Sequence, residues 1–260
     1  MNIHEMHTTF RTLGQQMGMQ LGRAILPESI DVCLNDAIIE LTRQELLSGA
    51  TNSIESGVTT QASTMSVINA FRNLYKSVRY SCDNSYTDVQ IVSYVNEDQS
   101  YTVISIPIAD VTETRANISG TAEKINPMMY LGFAVEYDDK SQGKAKQCRV
   151  VAQDEIGNIL NDFCSRPSKL NPVAVLNNRP SVWEFVYNGI TNEFLEIYTD
   201  KGCPITYVTI KYIKHPNILK FDKDLTNCVN CDLPEYLHYE IVERAVAKFM
   251  SAISIAKTTQ

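Results

Sequence analysis

The stretch FLEIYTDKGCPITYVTIKYI, residues 194–213, decides the fold class. Its two arms, FLEIYT (194–199) and ITYVTIKYI (205–213), are rich in Ile, Tyr, Thr and Val, which suit a pleated, half-buried surface. Between them Asp200–Pro204 carries the Asp, Gly and Pro of a turn. The same texture extends back to about Val78, in VQIVSYV (89–95), YTVISIPIA (101–109), MYLGFAVEY (129–137), CRVVAQ (148–153) and VWEFVY (182–187). Further turns fall at Asn96–Ser100 and Asp138–Gly143. Short strands with short connectors point to an antiparallel sandwich or barrel-like region. Pro107 inside one run suggests an edge strand or a bulge.

Both flanks change period. Ile3, Met6, Phe10, Leu13, Met17 and Leu21 recur at steps of three and four, so residues 2–24 read as one helix. Pro27 ends it and suits the start of a second helix, which carries Ile30, Cys33, Leu34, Ala37, Ile38 and Leu41 on one face to about Leu47. Gly49 is its expected stop, and 50–63 reads as a polar loop. A third helix is expected over about 64–76, with Val67, Ile68, Phe71, Leu74 and Tyr75 on one side. At the far end Asp232-x-x-Glu235 has the form of a capping box, and Leu237, Ile241, Ala245, Phe249 and Ala252 make a stripe. The fold class is therefore α+β: N-terminal helices (1–76) and a C-terminal helix (232–260) form one bundle, and a β-rich domain (77–231) is inserted between them.

Composition narrows the function. The 260 residues can bury a sizeable core. No leader pattern opens the chain and no apolar run approaches the roughly 18 residues of a membrane span, so a soluble protein made in a cytoplasm is expected. Seven cysteines at scattered spacings read as reduced thiols. A net charge of −7 without a basic block argues against a grip on DNA phosphates.

Gly14, Gly18 and Gly22 form a GxxxGxxxG row beside the stripe of the first helix. Each costs roughly 1 kcal/mol against Ala, so close approach of another backbone should compensate. That backbone belongs either to the same monomer or to a neighbouring subunit. His4 and His7 are three apart, not the four of an HExxH zinc site. Cys228-Val-Asn-Cys231 precedes a helix, where zinc would need a second ligand pair and only His215 and His238 are within sequence reach. His238 lies on the apolar face of the last helix, where a satisfied buried histidine is the default. Glu97-Asp98, Asp138-Asp139 and Asp154-Glu155 sit at expected turns, which favour Asp in any case. No P-loop, GxSxG, GxGxxG or EF-hand pattern occurs. No catalytic residue, cofactor or metal ligand is assigned.

The runs FRTLGQQMGMQLGRAILPESIDVCLNDAI (10–38) and DLPEYLHYEIVERAVAKFM (232–250) resemble structural proteins of tailed bacteriophages. The closest resemblance is to a ring or adaptor protein of the head–tail connector in crAss-like short-tailed phages. It rests on the LPxxxHxxIVxxAV character of the last helix and covers about a third of the chain; the β-rich middle has no part in it. The resemblance implies a non-enzymatic virion protein forming a homo-oligomeric ring, a dodecamer, below the portal protein and against neighbouring tail or ring proteins. Genome DNA would pass through its lumen without specific binding, and an acidic wall would keep it from sticking. Gly14, Gly18, Gly22, Phe10, Met17, Leu237, Ile241 and Phe249 are the residues expected at the assembly interface. A tail-hub, capsid-decoration or host-binding role is the alternative, with a phage-encoded hydrolase behind it.

Overall fold

A computed structural model describes residues 1–18, 25–55, 71–82, 92–95, 101–108, 112–113, 123–137, 145–162, 164–177, 193–201, 203–222 and 227–258. It is a mixed α+β fold. Contacts divide the chain into two compact units, one formed by Met1–Tyr75 with His215–Gln260 and the other by Lys76–Lys214. Residues 215–231, expected in the β-rich domain, thus group with the helices.

Among the described residues, three long helices build the first unit. Helix α1 spans Ile3–Gln16 and opens with a reciprocal capping box. Asn2 Oδ1 accepts the Glu5 N–H at 2.8 Å and Glu5 Oε2 accepts the Asn2 N–H at 2.9 Å. Helix α2 spans Pro27–Glu55, starting at the proline whose fixed φ suits a first turn. It runs through Gly49 rather than ending there, so the expected loop begins at least six residues too early. A glycine in a helix interior costs only about 1 kcal/mol, which a 29-residue helix absorbs. The last helix, Glu235–Thr258, packs against both α1 and α2. Ile3, Met6, Phe10, Ile30, Leu34, Leu41, Ile241 and Val246 are all buried to within 2%.

A strap between Lys214 and Glu235 joins this unit through backbone-mimicking side chains. Asn35 Nδ2 donates to the Leu219 carbonyl at 3.0 Å, and Asn35 Oδ1 accepts the Leu219 N–H at 2.7 Å. Asp31 Oδ2 accepts the Phe221 N–H at 3.0 Å. Two helix residues one turn apart thus satisfy a strand-like segment that has no sheet of its own. The last helix starts at Glu235 itself, so Asp232 does not stand at its N-cap as the expected capping box needs; the Asp232 carboxylate accepts from Asn217 and the Glu235 carboxylate from the Met1 amino group.

The second unit holds two open sheets. Strands β1 (Tyr75–Ser81), β11 (Ile205–Lys214), β6 (Pro127–Tyr137) and β7 (Lys146–Gln147) form one, in that spatial order. Strands β2 (Val92–Val95), β3 (Tyr101–Pro107), β10 (Phe194–Asp200), β9 (Val173–Asn177) and β8 (Arg149–Val151) form the other. A short ribbon pairs β4 (Thr112–Glu113) with β5 (Glu123–Lys124). One buried cluster draws on both large sheets: Val78, Phe133, Val135 and Val208 from the first, Ile104, Leu195 and Ile197 from the second. Helix α3 (Ile156–Asn161) sets Ile156, Ile159 and Leu160 against Val103, Val173, Val175 and Tyr198 on the opposite face of the five-stranded sheet. The last helix is therefore α4.

Several expectations need correction. β8 pairs with β9 in parallel, so the unit is not wholly antiparallel, and neither sheet closes into a barrel. Tyr75 already belongs to β1, so the expected third helix ends no later than Phe71; the rest of it lies outside the described residues. Pro107 is the last residue of β3, which lies between β2 and β10 rather than at an edge, and the Ile108 N–H just after it bonds the Glu193 carbonyl at 2.9 Å, so the backbone contact with the β10 side continues past the proline. The run 182–187, with Trp183, lies outside the described residues, as do the turns Asn96–Ser100 and Asp138–Gly143.

Candidate assembly surface

The glycine row is not a row on one helix. Gly14 is buried in the last turn of α1, but the helix stops at Gln16. Gly18 stands at φ +87°, in the left-handed region, and its N–H bonds the Gln15 carbonyl at 3.1 Å. It is the C-terminal glycine that ends a helix. A Cβ built there meets nothing within 4 Å, so its backbone conformation, not close packing, calls for glycine. Gly22 lies outside the described residues.

The apolar residues expected at the interface divide. Phe10 and Ile241 are wholly buried inside the first unit and Leu237 nearly so, and Phe10 meets the partly buried Phe249 edge to face, ring centroids 5.7 Å apart. These side chains hold α1 to α4 and offer little surface to a second chain. Met17, just past the end of α1, is 48% exposed and does face solvent.

The exposed apolar surface that sequence reading missed is on α2. Val32 is 60% exposed and Ile39 37%, seven residues and so two turns apart. On the helical wheel they stand opposite the buried pair Leu34 and Leu41. Leu26, immediately before the helix, is 63% exposed. Glu28, Asp36 and Arg43 share this face with Val32 and Ile39, and Glu40 borders it, all exposed. The signal was present in the sequence as a second apolar stripe on α2; the stronger core stripe masked it. On α4, Tyr236 (63%) and Tyr239 (53%) are exposed as well.

Charged groups bind α4 to α2 at the edges of this region. Lys248 pairs with Glu40, which holds the Glu40 carboxyl below its usual range. Arg244 donates to Gln44 Oε1 at 2.6 Å and to Glu240 at 2.7 Å. Solvent screening leaves exposed pairs of this kind only a small share in stability.

No constellation for catalysis or metal binding emerges among the described residues. No group of three His, Cys, Asp or Glu side chains there has the geometry to hold an ion. Cys228 exchanges contacts with the backbone of Asp222, its Sγ donating to the Asp222 carbonyl at 3.4 Å. Burial pushes the Cys231 thiol up to about 11, away from the reactive thiolate. His238 is buried and donates from Nε2 to the Leu233 carbonyl at 2.8 Å, but its Nδ1 is buried with no hydrogen-bond partner among the described residues, so the expected satisfied histidine is only half met. Asp154 and Glu155 are exposed in the turn before α3, and the other two carboxylate pairs lie outside the described residues. Glu196, which no sequence pattern marked, is fully buried on β10 and accepts from Asn177 Nδ2 (2.6 Å) and the Tyr198 hydroxyl (3.0 Å). It clasps β9 to β10.

No protein-family model matches this chain, and no curated protein matches it.

Proposed function

We propose that this chain is a structural subunit of an oligomeric ring in the head–tail connector of a tailed phage, below the portal protein, with genome DNA passing through the lumen. The exposed apolar residues Val32 and Ile39 on α2, with Leu26 just before the helix, carry the assembly part of this reading. An amphipathic helix on a monomer's surface needs one apolar face; a second one opposite the core is removed from water by a neighbour. In the finer architecture that this reading adopts, α1, α2 and α4 form a bundle and the two sheets form a sandwich inserted into it. The cluster shared by both sheets supports the sandwich. The connector location rests on the resemblance of residues 10–38 and 232–250 to such ring proteins. No helix among the described residues is long and apolar enough to cross a membrane.

The test is the mass and shape of the purified full-length chain. Multi-angle scattering should give a discrete, closed oligomer at micromolar concentration, and electron micrographs should show a central channel. A chain that stays monomeric up to millimolar concentration, alone and with its portal, sinks the reading.

A further inference from the structure

We draw no further inference here: the strongest candidate, the hollow of about 760 Å³ at the start of α4 walled by Arg72, Asn73, Glu235, Tyr236 and His238, rests on a helix N-terminus alone, because the Glu235 carboxylate there is already taken by the Met1 amino group and the unpartnered His238 Nδ1 is buried out of its reach.

Discussion

At Gly18 the backbone, not the packing, decides what a substitution does. Its φ of +87° is open to glycine at no cost, while any other L-residue meets its own carbonyl there. Gly18→Ala should lower stability by about 1 kcal/mol in urea denaturation and leave the oligomeric state unchanged, since the new methyl group touches nothing. A loss of oligomer at unchanged stability would restore the glycine to an interface. His7 gives a second prediction, with a definite sign. Burial lowers its folded-state proton affinity below the ordinary 6.5, so the folded chain favours neutral imidazole. The stability this contributes is complete above pH 6.5 and declines as pH falls through the lowered folded value. His7→Gln should therefore show a flatter pH dependence of the urea midpoint over that acid window than the native chain. Equal slopes would mean that His7 titrates alike in both states.

At the scale of elements, α2 has a buried apolar face and, opposite it, the exposed Val32 and Ile39, to which the proposed function gives an assembly role. Val32→Asp combined with Ile39→Asp should convert the oligomer to a folded monomer, with helicity by circular dichroism unchanged. Surface changes away from packed groups shift stability by no more than about 0.5 kcal/mol. On the inner side, Ile241→Ala should cost about 2–5 kcal/mol, because a side chain with no exposure leaves a cavity between packed helices. The contrast separates assembly from folding in one pair of melts. Much of this element scale is legible in the sequence. The periodicity of Ile3, Met6 and Phe10 and of Leu237, Ile241 and Ala245 gives the inner faces, and β-rich runs such as 205–213 and 194–199 match strands almost end to end. The misses have local causes. β9 (VAVLN) is five residues long and buried on nearly all sides, so it shows no alternation, and only its Pro-, Ser- and Asn-rich flanks, SRPSKLNP (165–172) and NNRPS (177–181), marked it. α3 is a six-residue helix, below the length at which a 3.6-residue period can be read. The end of α1 was misplaced because Met17 and Leu21 continue its stripe in sequence after Gly18 has broken it in space. The α2 surface went unread because a periodicity argument seeks the one face that must be inside and has no rule for a second.

At the scale of the whole molecule, the second unit is one unbroken segment, whereas the first is assembled from both ends of the chain. The segment has its own core, shared between two sheets, and so meets the usual condition for independent folding. Lys76–Lys214 made alone should give dispersed amide resonances and a cooperative melt; a collapsed, poorly dispersed spectrum would show that it depends on the helices. Its first and last strands, β1 and β11, are hydrogen-bonded neighbours, and the Cys82 N–H just past β1 bonds the Thr206 carbonyl near the start of β11 at 2.9 Å. They therefore run in opposite directions, and the points where the chain enters and leaves the segment come together at about one interstrand spacing, roughly 5 Å. That adjacency bears on the order of events in folding. Closing a loop of this length from a random coil carries an entropic penalty that grows with the logarithm of its length. Once β1 and β11 have paired, the insertion behaves toward the helices as a turn of a few residues, and α1 and α2 can find α4 as if the chain between them were short. Refolding should then proceed in two ordered phases, sheets before helices, and a weakened β1–β11 pairing should slow the helical phase without changing the helices themselves.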